Sequence, residues 1–310
     1  MGKVNKSIEL LEQGHAVFTL HAMELTYEAG RDMAQTWADW IWVDFEHAPF
    51  DVVGLGKFMK GLWDGGPTPS GHQTPTVVGV LPARGHSQEE VYYNAWQVSQ
   101  ILSTGVHGIQ LCHASDPEAV RAFVACARYP FQTLGRDSGL PEGFRGSGRQ
   151  EHTSKFWNLD AEKYVKKADP WPLNPDGELL LGVKIEDRYA LPNVDAILSV
   201  PGISFCDWGV TDMAMSLGQM EAIFSRDKSC DFNIHRNWPY SGELKKSLEV
   251  VKSACDRAGV AFSGGWIDQT VTHAEWVKTY VEVFGGRIAS APSKEFADVG
   301  RKLTGRSMPV

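Results

Sequence analysis

Four short clusters carry residues whose types and spacing suit chemistry. Asp44-Phe45-Glu46-His47-Ala48-Pro49 ends the apolar run Ile41–Phe45. A carboxylate three residues before a histidine at a strand end can orient the imidazole and raise its basicity; the alternative is a polar cap before the next helix. In Lys184-Ile185-Glu186-Asp187-Arg188, strand alternation puts Lys184 and Glu186 on one face. Buried charges are costly unless paired or metal-bound, so that face holds either a plain ion pair or a site. In Cys206-Asp207-Trp208-Gly209-Val210-Thr211-Asp212 a strand ends and turns at Gly209. Free N–H groups at such a turn can hold a carboxylate, and Asp212 is either a ligand or an ordinary N-cap. Arg84, after the third strand, suits a carboxylate or a developing oxyanion, or is a solvated loop arginine.

Taken together, Glu186 and Asp212 come from different strand ends and can share Mg2+ or Mn2+, hard cations that take oxygen ligands and leave positions for a chelating 2-oxo acid. Such an ion acts as a Lewis acid when a carbon–carbon bond breaks.

Strands and helices alternate along the whole chain, and that pattern has to position these clusters. Strand candidates are Ala16–Leu20, Ile41–Phe45, Thr76–Leu81, Gly108–Cys112, Leu179–Ile185, Ile203–Cys206, Val260–Gly264 and Arg287–Ala289, with a further short one near Phe131–Leu134. Helical patterns cover Tyr27–Trp37, Gln88–Ser103, Pro117–Arg128, Asn193–Leu198, Gly242–Ala258 and His273–Phe284. The alternation implies a parallel sheet with crossover helices. Polar clusters at the strand ends favour an α/β TIM (β/α)8 barrel, whose chemistry sits at the C-terminal strand ends. A doubly wound sheet would favour a glycine-rich phosphate turn, and no GxGxxG or Walker pattern occurs. Nine candidates for eight positions leave one peripheral strand. The reading is one barrel domain over 1–310, with an insert within about 135–177 and a C-terminal helical tail. Within the insert, Pro170, Pro172 and Pro175 end a helical piece near Ala161–Ala168, and the insert reads as an active-site cover or an oligomer contact.

The 310 residues are 43% hydrophobic and 22% charged, enough to bury roughly 75% of the unfolded surface without staples. The net charge of −8, with no basic run, argues against a nucleic-acid partner. No apolar stretch is long enough to span a membrane, and the N-terminus reads as an amphipathic helix, not a signal peptide. Five scattered cysteines (Cys112, Cys126, Cys206, Cys230 and Cys255) without a CxxC pair point to buried core thiols in a reducing, cytoplasmic compartment.

The segments VDFEHAPFD, GVHGIQLCHASDPEAVRAFVACARYP and KIEDRYALPNVDAILSVPGISFCDWGVTDMAMSLG resemble the HpcH/HpaI aldolase family, over about residues 14 to 290. These are class II pyruvate aldolases, with macrophomate synthase a relative. The resemblance implies a phosphoenolpyruvate/pyruvate-domain-like barrel. It also implies a lyase that cleaves a 4-hydroxy-2-oxo acid to pyruvate and an aldehyde through a metal-stabilised enolate. It makes Glu186 and Asp212 the ligands of Mg2+, Mn2+ or Co2+, and His47 the base, oriented by Asp44. Arg84 would bind the keto or enolate oxygen. The backbone of Gly209, Val210, Thr211 and Asp212 would take the pyruvate carboxylate, and Lys184 would lie beside the substrate. A homo-oligomer, hexamer or trimer, with exchanged C-terminal helices is also implied.

The sequence departs from the family at Lys184, where glutamine is usual, at Val210, where proline is usual, and in the longer 135–177 span. Trp42, Trp63, Trp171, Trp208 and Trp266, near strand ends or loops, are either core or a lining for a bulky acceptor. Two other chemistries stay open: a Schiff base on Lys184, if desolvation lowers its pKa, and decarboxylation of an oxaloacetate-like acid. A barrel that only binds a small acid is the non-enzymatic reading.

Overall fold

The computed structural model describes residues 2–219, 242–264, 271–306 and 308–309. Eight parallel strands close into a barrel: β1 Val17–His21, β2 Trp40–Asp44, β3 Thr76–Arg84, β4 Gly108–Cys112, β5 Leu179–Ile185, β6 Phe205–Trp208, β7 Ala261–Gly264 and β8 Ile288–Ser290. Each pairs with the next, and β8 returns to β1 through Val17 opposite Ile288. Gly108 opposite Leu180 joins β4 to β5. The strands are nearly continuous apolar runs because both faces of a helix-covered parallel sheet are buried.

The outer layer comprises α2 (Tyr27–Met33), α3 (Val52–Gly65), α4 (Gln88–Tyr93), α5 (Ala95–Leu102), α6 (Pro117–Ala127), α9 (Val194–Leu198), α10 (Val210–Ser216), α11 (Gly242–Ala258), α12 (His273–Lys278) and α13 (Lys294–Leu303), with α7 (Gln150–Phe156) and α8 (Ala161–Lys167) in the insert and α1 (Lys6–Glu12) at the start. Thr26, Asp51, Ser87, Asp116 and Ser293 cap α2, α3, α4, α6 and α13 by accepting first-turn N–H groups.

Eight of the nine strand candidates build the barrel, shifted by up to three residues at their ends. Phe131–Leu134 forms no strand. The peripheral strand is instead Pro170–Trp171, paired with the start of β5. Helix Gln88–Ser103 breaks at Asn94 into α4 and α5.

Inward-facing side chains form two zones. Val17, Trp40, Trp42, Val78, Leu180, Phe205 and Ile288 fill the lower barrel, and Ile8 and Leu10 of α1 close it from below. Gly182 is required there: a Cβ would lie 2.0 Å from the Phe205 ring. Beneath, the buried Asp39 carboxylate gathers Lys6 (3.3 Å), Arg301 (3.4 Å) and Arg306 (2.8 Å), tying α1 and the tail to the foot of β2. Helix α13 covers this chain's own barrel, with Phe296 edge-on to Phe18.

The insert does not cover the active end. It joins the C-terminus of α6 to the N-terminus of β5, and helix-to-strand connections lie at the N-terminal face of a barrel. Its contacts agree: Trp157 Nε1 donates to Gly105 O at 2.9 Å and Thr153 Oγ1 to Ser103 O at 2.9 Å, both just ahead of β4.

At this end His107 is fully enclosed. Its Nδ1 accepts the Val77 N–H at 3.2 Å and its ring stacks on Trp157 with centroids 5.9 Å apart. Burial pushes its pKa from 6.5 down to about 3. The unfolded chain therefore takes up this proton as pH falls below 6.5 while the folded chain does not, and stability drops by at most about 1.4 kcal/mol per unit until about pH 3. His107→Asn keeps an acceptor for Val77 without a titrating ring. It is expected to flatten the fall in melting temperature between about pH 6.5 and 4.5. Parallel slopes for wild type and variant would refute this assignment.

Candidate active site at the barrel mouth

The upper barrel is polar. His21, Asp44, Lys184, Asp207, Ser263 and Ser290 line a cavity floored by Trp42 and Val80, with Glu46 and His47 at its edge. Register explains the convergence: Lys184 pairs with Asp207, and Asp207 with Ser263, so alternate residues of neighbouring strands meet at one height. Burial raises the pKa of Asp207 and lowers that of His21.

Lys184 is the hub. Its ammonium lies 2.6 Å from Glu46 Oε2, 2.6 Å from Glu186 Oε2 and 3.9 Å from Asp212 Oδ2. Burial works against the Lys184 charge, but Glu186 and Glu46 more than offset it and raise its pKa. Burial also pushes Glu186 up to about 7, with Lys184 pulling the other way. Gly209 permits this packing, since a Cβ there would meet Glu186 Cβ at 2.6 Å and Lys184 Cε at 3.0 Å. The expectation that desolvation lowers the Lys184 pKa and frees an amine for a Schiff base is therefore corrected: three carboxylates surround the ammonium.

Asp44 also differs from expectation. Its Oδ1 accepts the backbone N–H of Glu46 (2.8 Å) and of His47 (3.2 Å), so it shapes the turn after β2. The carboxylate at the imidazole is Glu46, whose Oε2 lies 3.2 Å from His47 Nε2. The His47 side chain is 58% exposed, at the edge of the cavity.

A second cleft opens on the other side of Lys184, lined by Arg84, His86, His113, Glu186, Asp187 and Asp212. Strand β3 runs on through Arg84 after a register shift past Val80. The guanidinium is paired with Glu90 Oε1 at 3.3 Å and 56% exposed, so Arg84 is a rim residue of this cleft. Glu186 and Asp212 share the cleft and face the same ammonium. Gly209 gives its N–H to Ile185 O at 3.1 Å, so a substrate carboxylate has only the first-turn N–H groups of Val210, Thr211 and Asp212 to use.

Sequence reasoning passed over His113. It follows β4, and its backbone is left-handed (φ +45°). Its N–H donates to Glu186 Oε1 at 2.8 Å, and its Nδ1 lies 3.4 Å from Asp187 Oδ2. The Asp187 hydrogen bond raises its pKa against burial, with Glu186 and Glu46 adding to the rise. A single polar residue after GIQLC was the only signal. Glu46 had a stronger one, because strand alternation carries the face of Asp44 on to Glu46.

Trp42 and Trp208 are core: Trp42 Nε1 donates to Thr19 Oγ1 at 3.1 Å and Trp208 Nε1 to Ser247 Oγ at 3.2 Å. Trp171 lies at the opposite end, bonded to Glu12. Trp266 and Cys230 fall outside the described residues; Cys112, Cys126, Cys206 and Cys255 are buried free thiols. No helix among the described residues is long and apolar enough to cross a membrane.

No family model matches the chain. Among curated proteins it is similar to the hydroxypyruvate/pyruvate aldolase of Deinococcus radiodurans, 28% identical over 182 residues, or 59% of this chain and 53% of that protein. It is also similar to the 2-keto-3-deoxy-L-rhamnonate aldolase of Klebsiella pneumoniae, 28% identical over 180 residues, or 58% and 54%. The match thus spans about half the length of these relatives. In fold it is similar to an HpcH/HpaI aldolase/citrate lyase family protein from Burkholderia cenocepacia, with TM-score 0.67 and 20% identity over 96% of this chain and 97% of that one. A citrate lyase beta subunit from M. tuberculosis, complexed with oxaloacetate and magnesium, gives TM-score 0.52 and 12% identity over 94% and 98%. The resemblance to HpcH/HpaI aldolases is thus present in both sequence and fold.

The charge pairing of Lys184 makes a test. Borohydride treatment in the presence of pyruvate is expected to leave the mass of the chain unchanged, because a protonated amine does not attack a carbonyl. A pyruvate-derived adduct on Lys184 would overturn the ionic assignment.

Proposed function

We propose that this chain, similar to the HpcH/HpaI aldolases in sequence and fold, is a metal-dependent lyase. It would cleave a 4-hydroxy-2-oxo acid to pyruvate and an aldehyde, on a barrel of the phosphoenolpyruvate/pyruvate-domain type. The observation that carries this reading is the convergence of Glu46, Glu186 and Asp212 from three strand ends on one positive charge, beside an exposed histidine. A pocket so acidic needs cations to offset the cost of burying its carboxylates.

The residues fit a divalent cation. Glu186 is fully buried, and Glu46 Oε1 is buried without a hydrogen-bond partner. Glu186 and Asp212 would hold Mg2+, Mn2+ or Co2+, and the ion would supply the positive charge that the 2-oxo oxygen needs as the bond breaks. The chain's own groups do the rest. The first-turn N–H groups of Val210, Thr211 and Asp212 bind the substrate carboxylate. Arg84, released from Glu90, closes over the oxygen side from the rim.

His47, held by Glu46, takes the 4-hydroxyl proton as the bond between C3 and C4 breaks. The electron pair of that bond moves toward the 2-oxo oxygen, and the aldehyde leaves. Returning one proton to C3 completes pyruvate. Asp44 keeps the turn in shape so that His47 stays at the mouth, and Lys184 holds Glu46 and Glu186 in place. The relatives named as aldolases support the reaction class, and assembly as a homo-oligomer goes with the resemblance.

Aldehyde and pyruvate release from a 4-hydroxy-2-oxo acid is expected to fall at least about 100-fold on thorough chelation or with Glu186→Gln. Mn2+, Mg2+ or Co2+ should restore the chelated wild type but not the variant. Undiminished activity after metal removal would overturn the reading. Carbon dioxide release from oxaloacetate without any aldol cleavage would replace it with a decarboxylase.

A further inference from the structure

Lys184 separates two openings. Glu186 and Asp212 line the cleft on one side, where the proposed ion and the 2-oxo group belong. His47 stands at the edge of the cavity on the other side. Short contacts join the two: Glu186 Oε2 and Glu46 Oε2 each lie 2.6 Å from Lys184 Nζ, and Glu46 Oε2 lies 3.2 Å from His47 Nε2. A substrate held by the ion through C1 and C2, and by His47 through its 4-hydroxyl, has to cross Lys184. Its carbons beyond C4 are then delivered to the His47 cavity. That placement rests on the metal-dependent lyase reading, and it makes the cavity lining decide which aldehydes fit.

The cavity holds about 170 Å3. At roughly 30 Å3 for each water-sized group, that is room for about five of them, a short chain with its substituents. Among the lining residues only Trp42 and Val80 are apolar; His21, Gln110, Asp207, Ser263 and Ser290 make most of the rest of the wall. Gln110 is 2% exposed, and its Nε2 has no hydrogen-bond partner among the described residues. A buried amide donor without an acceptor is destabilising, and a ligand oxygen would complete it. The Asp207 carboxyl shares a hydrogen bond with Ser263, which leaves further lone pairs for a ligand O–H. A hydroxyl both donates and accepts, so it suits both groups.

Charge narrows the choice further. Asp44, Glu46 and Asp207 face the cavity against one cation, Lys184, which Glu46 and Glu186 already hold. Desolvation lowers the pKa of His21, so its ring is uncharged near pH 7. A carboxylated tail would meet like charge, and an alkyl tail would leave Gln110 and Asp207 without water or a partner. We propose that this cavity binds the aldehyde half of the substrate, and that Gln110, Asp207 and Ser263 select an uncharged aldehyde bearing hydroxyl groups over alkyl and carboxylated ones.

The test is condensation of pyruvate with three aldehydes by the Mn2+-loaded full chain. Glyceraldehyde is expected to exceed both butanal and succinic semialdehyde in kcat/KM by at least about ten-fold. This comparison needs no variant. Asp207→Leu and Gln110→Met are each expected to shrink the preference for glyceraldehyde over butanal at least about ten-fold. Wild type that favours butanal or succinic semialdehyde would overturn the inference, as would an unchanged preference in both variants. Metal-dependent exchange of the pyruvate methyl protons with deuterium, which needs no aldehyde, separates the two readings. Exchange without a preference for glyceraldehyde overturns this inference alone. Neither exchange nor cleavage of any 4-hydroxy-2-oxo acid overturns the lyase reading and this inference with it.

Discussion

A buried ammonium shared by two buried carboxylates organises this molecule. Lys184, Glu46 and Glu186 are ionisable groups held where water is scarce, and a charge on any one of them is not tolerable alone. Their mutual satisfaction demands closeness, and closeness sets other requirements. Gly209 must lack a side chain, the turn after β2 must deliver Glu46 inward, and His113 must adopt a left-handed backbone to give its N–H to Glu186. Chemistry at the mouth depends on this triad, because His47 and the candidate ion site are both attached to its carboxylates.

The barrel offsets that polar mouth with an apolar interior below it. Trp40, Trp42 and Phe205 pack with centroids 4.7 to 5.8 Å apart. Under them, α1 and the Asp39 cluster seal the lower end. The insert, α1 and the end of the C-terminal tail are all engaged at this lower face, leaving strand-to-helix connections to surround the mouth. One end is thus built for closure and the other for ligands, as in other barrels of this kind.

The polar clusters were legible in the sequence because they interrupt apolar strands. Their internal wiring was not. Asp44 and Glu46 lie two residues apart, and spacing cannot say which one reaches His47; the turn decides, by using Asp44 for backbone N–H groups. Lys184 stood out as a departure, but whether its pKa would rise or fall depended on how many carboxylates came from other strands. His113 was nearly invisible, since its meaning comes from Glu46, Glu186 and Asp187, distant in sequence. Composition reads the insert as an active-site cover or an oligomer contact; its position after a helix puts it at the lower face and rules out the cover.

Periodicity and punctuation along the chain determined the alternation of strands and helices, and with it the (β/α)8 closure. Local patterns are enough for that, because each strand and helix buries its own apolar face. The partners of each charge were decided only by tertiary structure. Strand register, not spacing, brings Lys184, Asp207 and Ser263 to one level. Electrostatic energies depend on distances of a few ångströms and on exclusion of water. Neither quantity exists until the eight strands have closed.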